Sequence, residues 1–501
     1  MPGSKPSQLI LATSVILIAG LFTACNQSSG GATTAAAADA GKIPITTKSE
    51  QAKQEFLRGR DLSERLLGQE SLEHFDKALA LDPQFASAEL ARANNSPTAK
   101  EFFDHLNRAA TLADQASDGE KLLILANQAG ANGDTVKQKD DLEKLAAAYP
   151  NDERAQFTLA NYYFGQQELD AAVEHYRKAT EIAPNYSPAY NVLGYAYRQQ
   201  GDYASAEQAF QKYIALIPND PNPYDSYAEL LLKMGRFEES QEQYHKALSI
   251  DPHFVPSYFG LSAALLYAGK GADAQADLQK MAEQARNDGE LRTAYFGMAV
   301  LASDRGTFDQ ALQAMDKEFA VAEKTNDVAS MSADLQAKAR ILAEIPRLDE
   351  AQRAFDRSYQ VIEESNQSQA NKDNATLLHH FNLAEIAILK KDYAAAKTHA
   401  EEFRRGAEAT KNSAQIKQWH ELAGRIALGE KNYDQAVAEL EQANLQNPQN
   451  LYRLSQAWWA KGDKAKAHDY LTKAAEFNSL PQLNYAFIRV KAQKMAGEKK
   501  A

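Results

Sequence analysis

Large apolar residues recur with a 34-residue period between positions 119 and 288. Counted from Gly119 as position 1, position 24 of the five successive units holds Leu142, Tyr176, Phe210, Tyr244 and Leu278. Position 8 holds only small residues, which are Ala126, Ala160, Gly194, Ala228 and Ser262. Positions 4, 8 and 11 share one face of a first helix, and positions 20, 24 and 27 share one face of a second helix. The pattern therefore predicts pairs of helices whose backbones approach closely where the small residues lie.

Turn-forming residues mark the boundaries of the same units. Each of four successive units ends on a proline, and these prolines keep the same period: Pro150, Pro184, Pro218 and Pro252. Gly201-Asp202-Tyr203 and Gly235-Arg236-Phe237 stand between the two predicted helices of their units, as expected of a turn in a helix hairpin. These residues resemble those of the tetratricopeptide repeat. The resemblance implies an all-α fold, an α-solenoid of about twelve hairpins wound into a right-handed superhelix.

Outside residues 119–288 the repeat continues with a looser period. An earlier unit ends at Pro83, one residue short of two full periods before Pro150, so residues 49–118 are predicted to hold degenerate units. The alanine of position 20 recurs at unequal steps, at Ala274, Ala311, Ala351, Ala396, Ala436 and Ala467. Residues 289–447 are therefore predicted to form longer units, and residues 448–501 a terminal unit with a capping helix. The apolar face of that helix comprises Leu483, Ala486, Phe487 and Val490.

The first 25 residues have the layout of an export signal. Lys5 precedes an apolar stretch from Leu9 to Phe22, which is too short to cross a membrane as a helix. The sequence Phe22-Thr23-Ala24-Cys25 resembles the bacterial lipobox, in which cleavage before the cysteine gives an amino terminus that carries acyl chains. The resemblance implies a lipoprotein signal peptide at residues 1–24 and a lipidated Cys25. An ordinary secretory signal cut elsewhere and an uncleaved anchor are the alternatives.

The residues after Cys25 have little apolar surface to bury. Asn26 to Gly31 and the Ala/Thr run up to Ala40 predict a flexible tether, which we assign to residues 25–48. By resemblance to enteric lipoproteins, Asn26 rather than Asp at this position implies the outer membrane, facing the periplasm of a Gram-negative host. The membrane contact would then be made through acylated Cys25 only.

The charge balance and the cysteine count narrow the classes of partner. Fifty-five Lys and Arg against 67 Asp and Glu give a net charge of −12 over 501 residues. Nucleic acid is therefore not expected as a partner, because its phosphates attract the opposite charge. Cys25 is the single cysteine, which excludes an intrachain disulfide and a cysteine-based zinc site.

Several fragments imitate catalytic or metal-binding motifs, and the repeat explains them better. His420-Glu421 begins like the zinc signature H-E-x-x-H, but Gly424 stands where the second histidine must be. Residues 269–274 fit a dinucleotide fingerprint but follow a predicted helix instead of a strand. His379 and His380, with His399 and His420 as neighbours, are adjacent and point about 100° apart on a helix, so a metal site is not expected. We predict a chain that is not an enzyme and holds no cofactor or metal.

Function in a repeat fold resides in its surfaces. In tetratricopeptide repeats four positions of the first helix face a concave groove. Here this resemblance selects Asn127, Phe157, Asn161, Phe164, Asn191, Tyr195, Arg198, Asp225, Glu229 and Phe259. Asn side chains can pair with an extended backbone, while Phe and Tyr add contact area, so the set predicts a groove for a protein or peptide partner. The alternative is an ordinary exposed polar surface.

These features together predict a lipid-anchored scaffold that holds partner proteins in a bacterial cell-envelope assembly. The layout resembles that of tetratricopeptide-repeat lipoproteins in pilus biogenesis, barrel assembly and cell-wall regulation. The alternative function is a non-catalytic, glycan-binding accessory to an envelope enzyme, in which Trp458 and Trp459 would form a sugar platform.

Overall fold

The computed structural model describes residues 41–65 and 67–498, and every regular element within them is a helix. The helices form twelve successive hairpins followed by two short helices. The predicted all-α solenoid of about twelve hairpins is thus confirmed, while the right-handed superhelix stays a prediction. The predicted signal peptide, Cys25 and tether residues 25–40 lie outside the described residues.

Two hairpins precede the regular repeats. Their helices are α1 (Glu50–Ser63), α2 (Gly68–Leu81), α3 (Ala86–Asn94) and α4 (Ala99–Leu112), and a 3-10 turn follows at Ala113–Gln115. The rings of Phe56 and Phe85 lie 4.9 Å apart between centroids, and those of Phe56 and Phe75 lie 6.1 Å apart. These degenerate units therefore still enclose an aromatic core.

Five hairpins with the same fixed register follow. Their helices are α5 (Asp118–Ala131), α6 (Thr135–Ala148), α7 (Glu153–Gly165), α8 (Leu169–Ile182), α9 (Ser187–Gln200), α10 (Tyr203–Leu216), α11 (Pro221–Lys233), α12 (Phe237–Ile250), α13 (Val255–Tyr267) and α14 (Gly271–Glu283). All five second helices begin at position 17 of their units. Asp152 caps α7 by accepting hydrogen bonds from the backbone of Arg154 and Ala155. Gly201, with φ of 83°, ends α9 in the left-handed conformation that favours glycine.

The remaining hairpins begin after residue 287, and most have longer helices. They are α15 (Asp288–Asp304), α16 (Phe308–Lys324), α17 (Val328–Glu344), α18 (Leu348–Glu363), α19 (Gln369–Leu389), α20 (Tyr393–Ala409), α21 (Ser413–Gly429), α22 (Tyr433–Leu440), α23 (Pro448–Lys461) and α24 (Lys464–Ala475). Helix α19 reaches 21 residues, whereas α22 has only 8. The longer helices explain why the sequence period loosens here.

The described chain divides into two compact units. The amino-terminal unit contains residues 41–230 and 249–251, and the carboxyl-terminal unit contains residues 231–248 and 252–498. In the first, α8 packs on α9 and the core includes Leu142, Leu159, Tyr163 and Tyr176. In the second, α16 packs on α17, and separate cores form around Phe381 with Phe403 and around Leu440 with Trp458. Each core joins neighbouring hairpins, as expected of stacked repeats.

The small residue at position 8 has a clear structural role in the α9/α10 hairpin. A Cβ atom placed on Gly194 would lie only 2.8 Å from the ring of Phe210, the residue at position 24. Ala206, at position 20, is fully buried. The packing that the sequence pattern predicts is therefore present at this hairpin.

Gly194→Leu and Ala206→Leu are each expected to lower the free energy of unfolding by about 1 to 3 kcal/mol, or more, because neither site has room for a larger side chain. Urea denaturation followed by circular dichroism measures the change. Gly165→Ala is the matched control, since a Cβ atom there would meet no other atom within 4 Å. Unchanged denaturation midpoints in both leucine variants would contradict the register.

The segment after α24 is not the single capping helix that the sequence predicts. It forms α25 (Leu483–Ala486) and α26 (Arg489–Glu498), with a break at Phe487 and Ile488. Val490, predicted to lie on the apolar face, is 50% exposed, whereas Tyr485 and Ala492 are buried. The break changes the helical phase, so the helical period cannot be carried from one helix into the next. Leu483, Ala486 and Phe487 are buried as expected.

Candidate partner-binding surface

Within each compact unit, first helices of some neighbouring hairpins lie side by side. These odd-numbered helices contact each other directly, as in the pairs α3 with α5, α13 with α15 and α19 with α21. We call the surface that they form within a unit the first-helix surface. All ten predicted groove residues lie on odd-numbered helices, from α5 to α13.

The structure places these ten residues in different environments. Asn127, Phe157, Asn161, Phe164, Tyr195 and Arg198 are half-buried in the amino-terminal unit. Asn191, Asp225 and Glu229 belong to the same unit but are buried, and Phe259 is buried in the carboxyl-terminal unit. The prediction that the ten residues bind a peptide together stays a prediction, and four of them are not exposed in this structure.

Several of the half-buried residues already hold a hairpin together. Asn161 accepts a hydrogen bond from the hydroxyl of Tyr176 at 2.7 Å. The Phe157 ring packs against Tyr176 and Tyr186, with centroids 5.8 Å and 5.6 Å apart. Asn127 donates to the backbone carbonyl of Leu123, one turn earlier in the same helix. These contacts orient the side chains and use part of their hydrogen-bonding capacity.

Arg198 is engaged in an ion pair that joins α9 to α11. Its guanidinium donates to Glu229 at 3.0 Å and lies 4.6 Å from the centroid of the Tyr195 ring. Burial raises the pKa of Glu229 although Arg198 opposes the shift. Removing Arg198 would therefore leave a buried carboxylate without its cation, and an Arg198 variant would report stability as much as binding.

The extended segment of residues 42–48, which we call the amino-terminal strap, corrects part of the predicted tether. Its side chains alternate, with Ile43, Ile45 and Thr47 half-buried and Pro44, Thr46 and Lys48 exposed. Ile43 packs against the core that contains Leu159, and Ile45 packs against the core that contains Phe56. Residues 42–48 are therefore not a flexible tether. The alternation of Ile43 and Ile45 around Pro44 was the sequence signal for this segment.

Backbone hydrogen bonds fix the strap to three successive hairpins. The N–H of Lys48 donates to Asp82 at 3.1 Å, that of Thr46 to Glu120 at 3.0 Å and that of Ile43 to Asp152 at 2.8 Å. Lys42 adds an ion pair with Glu153. Burial raises the pKa of Asp82, but hydrogen bonds from Thr47 and Lys48 outweigh it, so the pKa lies below its usual value. The carboxylates near the amino-terminal ends of α3, α5 and α7 thus bind the main chain of an extended segment.

The turn between α1 and α2 also reaches distant repeats. Arg65 donates to both carboxylate oxygens of Asp220, at 3.1 Å and 3.0 Å, and Arg154 donates to both oxygens of Glu64 at 3.2 Å and 3.3 Å. Asp220 is buried, and burial raises its pKa although Arg65 opposes the shift. No periodic signal in the sequence pairs these residues, because 155 positions separate Arg65 from Asp220.

A buried charge network links three first helices of the carboxyl-terminal unit. Glu421 on α21 accepts hydrogen bonds from Arg453 at 2.8 Å and from Asn450 at 3.0 Å, both on α23. Arg425 on α21 lies 3.6 Å from the same carboxylate and also pairs with Glu385 on α19. Burial favours the neutral form of Glu421, but Arg453 and Arg425 outweigh it and hold its pKa below the usual value.

A second buried cluster contains two carboxyl groups and one cation. Arg292 on α15 donates to Asp334 on α17 at 2.6 Å and to Glu318 on α16 at 3.4 Å. Burial raises the pKa of Asp334 to about 6 and that of Glu318 well above its usual value. One guanidinium cannot neutralise both carboxylates in this buried setting, so the folded state favours retaining a proton here.

The motif fragments have structural roles. His420 lies 2.7 Å from Glu439, and residues 269–270 form the turn before α14, with φ of 80° at Gly269. His380 and His399 place their Nδ1 atoms 3.1 Å apart. Between residues 41 and 498, no group of three or more His, Cys, Asp or Glu is arranged to hold a metal ion. None of the helices in that range combines the length and apolar character needed to cross a membrane.

The two adjacent tryptophans do not form one exposed platform. Trp458 is buried to 9% exposure in the core with Leu440 and Leu454, whereas Trp459 is 40% exposed. The Lys466 ammonium lies 3.9 Å from the centroid of the Trp458 ring. Trp458 therefore acts in packing, and of the two rings only that of Trp459 is exposed.

Comparison with known proteins gives matches in the regular repeats. Residues 151–219 match a family model described as tetratricopeptide repeat, and residues 197–265 match a second model with that description. No curated protein gave a match.

Three solved structures are among those that match parts of this chain. Two crystal structures of MamA are 23% and 24% identical in sequence to this chain. The matches cover 33% and 32% of this chain and 91% and 93% of the MamA chains, each with a TM-score of 0.28. A tetratricopeptide repeat protein from Parabacteroides merdae is 15% identical, covers 57% of this chain and 99% of its own, and has a TM-score of 0.35.

The family matches coincide with the helices that keep the strict register. The matched residues 151–265 contain α7 to α12 and most of α13. The register and the glycine turn after α9 are present in the same segment. Residues 151–265 of the chain are therefore tetratricopeptide repeats.

Proposed function

We propose that this chain is a lipid-anchored scaffold whose repeats bind partner proteins or peptides in a bacterial cell-envelope assembly. The observation that carries the binding part is the amino-terminal strap. Three successive hairpins bind this segment through its backbone N–H groups, which every residue except proline has. The apolar contacts of Ile43 and Ile45 then add side-chain selectivity. A repeat array that binds its own extended chain in this way is suited to bind another.

The half-buried residues of the first-helix surface are the proposed contacts for a partner in the amino-terminal unit. Asn127 and Phe164 are the best positions for a probe, because neither takes part in the Arg198–Glu229 ion pair. Gln208 and Gln211, both exposed on the second helix α10, provide matched control positions.

Photo-crosslinking in cells tests the binding proposal. A photoreactive amino acid at Asn127 or Phe164 is expected to give discrete protein adducts, because a partner on the first-helix surface would lie within reach. The same amino acid at Gln208 or Gln211 is expected to give none. Equal adducts at both pairs of positions, or none at Asn127 and Phe164, would reject a partner site on this surface.

The anchor is supported by the sequence Phe22-Thr23-Ala24-Cys25 directly after the apolar stretch. Cys25→Ser is expected to abolish fatty-acid labelling and to move the protein from the membrane to the soluble fraction, since one thiol carries the proposed modification. Metabolic labelling with a fatty acid and fractionation measure both effects. Ser28→Ala is the control and should behave like the unaltered chain. Equal labelling of Cys25→Ser and the control would end the lipoprotein proposal.

A further inference from the structure

The last described residues cross the ends of four consecutive first helices. We call residues 477–498 the carboxyl-terminal tail. It contacts Lys233, Tyr267, Asp304 and Glu344, which are the last residues of α11, α13, α15 and α17. All of these residues belong to the carboxyl-terminal unit. The order along the tail follows the order of the repeats, with contacts to one residue at the end of each first helix.

The first half of the tail is held by hydrogen bonds to its backbone and by its aromatic rings. Lys233 donates to the carbonyl of Phe477 at 2.6 Å, and its ammonium lies 3.5 Å from the centroid of that ring. The hydroxyl of Tyr267 donates to the carbonyl of Ser479 at 2.7 Å. The Tyr267 ring meets Tyr485 edge to face, with centroids 5.6 Å apart. This half is therefore held through two backbone carbonyls and two buried aromatic side chains, Phe477 and Tyr485.

The second half of the tail is held by charge. Arg489 donates to both carboxylate oxygens of Asp304, at 2.6 Å and 2.5 Å, and its guanidinium lies 5.1 Å from the Tyr267 ring centroid. The Asp304 side chain is only 3% exposed. Lys491 pairs with Glu344 at a more exposed position. Both cations lie at carboxyl-terminal helix ends, where the helix dipole favours positive charge.

We propose that this row of helix ends is a docking surface for a partner segment with the pattern Tyr-x-x-x-Arg-x-Lys, and that the carboxyl-terminal tail occupies it as an intramolecular ligand. The proposal rests on the proposed function of the chain as a scaffold and names the chemistry of one partner. The fit is one of charge and aromatic complementarity, since Asp304 and Glu344 receive the two cations and Tyr267 receives the ring. A partner displaces the tail by presenting the same groups.

Because the tail already occupies the docking surface, a partner must bind tightly enough to displace it. A segment linked to its binding site has a high effective concentration there. The tail therefore prevents binding of weak partners, and only a segment that makes equivalent contacts can displace it. Weakening the tail in place should therefore open the surface without changing the surface itself.

Fluorescence anisotropy with a labelled synthetic peptide of residues 476–498 tests this proposal on the full-length protein. The unaltered chain is expected to bind the peptide weakly. Arg489→Glu with Lys491→Glu in the chain should increase the affinity about 30-fold or more, because the altered tail loses both of its charge contacts while the surface stays intact. Adding Asp304→Arg to that chain should remove the gained binding.

Two further measurements separate release of the tail from misfolding. Arg489→Asp combined with Asp304→Arg restores an ion pair, so it should return the chain to weak peptide binding and to the helical content of the unaltered protein. Tyr267→Phe keeps the ring contact but loses the hydrogen bond to Ser479, and should give a smaller gain in affinity. Helical content by circular dichroism is expected to remain unchanged in these two variants.

Equal peptide binding by the unaltered chain and the Arg489→Glu, Lys491→Glu chain would overturn the proposal and identify the tail as a fixed part of the core. That outcome would leave the crosslinks at Asn127 and Phe164 unaffected, because those positions lie in the amino-terminal unit. Failure of the docking surface can thus be distinguished from failure of the scaffold function.

Discussion

Glu421→Ala is expected to lower the free energy of unfolding of the last hairpins by about 3 to 5 kcal/mol. The substitution removes the acceptor that Arg453 and Asn450 share and the carboxylate beside Arg425. Arg425 keeps Glu385, but Arg453 loses its carboxylate partner and keeps only the hydrogen bonds that it donates to the amide oxygens of Asn450 and Gln449. An uncompensated buried cation costs far more than the loss of an exposed ion pair.

Tryptophan fluorescence during urea denaturation measures this effect locally. The three tryptophans of the chain, Trp419, Trp458 and Trp459, lie on α21 and α23 and report on the hairpins that the network joins.

Two further variants control for the loss of a carboxylate. Glu401→Ala, at an exposed position on α20, should change the stability by no more than about 0.5 kcal/mol. Glu421→Leu combined with Arg453→Met should recover part of the loss, because an apolar pair needs no hydrogen-bond partner. A Glu421→Ala midpoint equal to that of Glu401→Ala would show that the network does not stabilise these hairpins.

Glu318→Gln is expected to make the chain more stable than the unaltered protein at pH 8, and by much less near pH 4.5. Glu318 and Asp334 titrate near about pH 4 in an unfolded chain. In the folded protein, burial raises the pKa of Asp334 to about 6. Burial also raises the pKa of Glu318 well above its usual value. Above pH 4 the folded state therefore binds more protons than the unfolded state. Its stability falls as the pH rises through the raised pKa values.

The measurement is the difference in unfolding free energy between Glu318→Gln and the unaltered chain across this pH range, with hydrogen exchange locating the effect on α15 to α17. A difference curve is needed because other carboxylates of the chain titrate over the same range. Asp316→Asn, at an exposed position on the same helix, is the matched control and should give a flat difference. A flat curve for Glu318→Gln as well would contradict the shared proton.

The sequence predicts the regular hairpins because their determinants are local. A small residue at Gly194, a large one at Phe210 and a turn glycine at Gly201 act within a single hairpin. The small and large residues recur at the same spacing in every regular unit, and the turn glycine recurs in four of the five units, with Gln167 in its place in the second. Helix periodicity and turn chemistry therefore suffice to position α5 to α14. The longer helices from α15 onward lose the fixed period, and their bounds could not be derived from it.

The sequence does not predict the contacts that both chain ends make. Lys233 and Phe477 are separated by 244 positions and Arg65 and Asp220 by 155, and no repeat relates either pair. The environment of the predicted groove residues could not be derived from the sequence either. Position 9 of a unit selects Glu229 correctly as a residue of the first helix, but only the structure shows that it is buried against Arg198.

The amino-terminal strap also determines how the array would respond to mechanical force. Solenoids unravel most easily from a terminal repeat, because that repeat has a neighbour on one side only. In this chain, however, a force applied at residue 41 acts first on the contacts of Lys42 and Ile43 with residues 151–153, at the start of the fourth hairpin. The tension then passes through Thr46 and Lys48 before it reaches α1. The first three hairpins are thus shielded, and single-molecule pulling should show an initial force peak that disappears when Asp82, Glu120 and Asp152 are replaced by alanine.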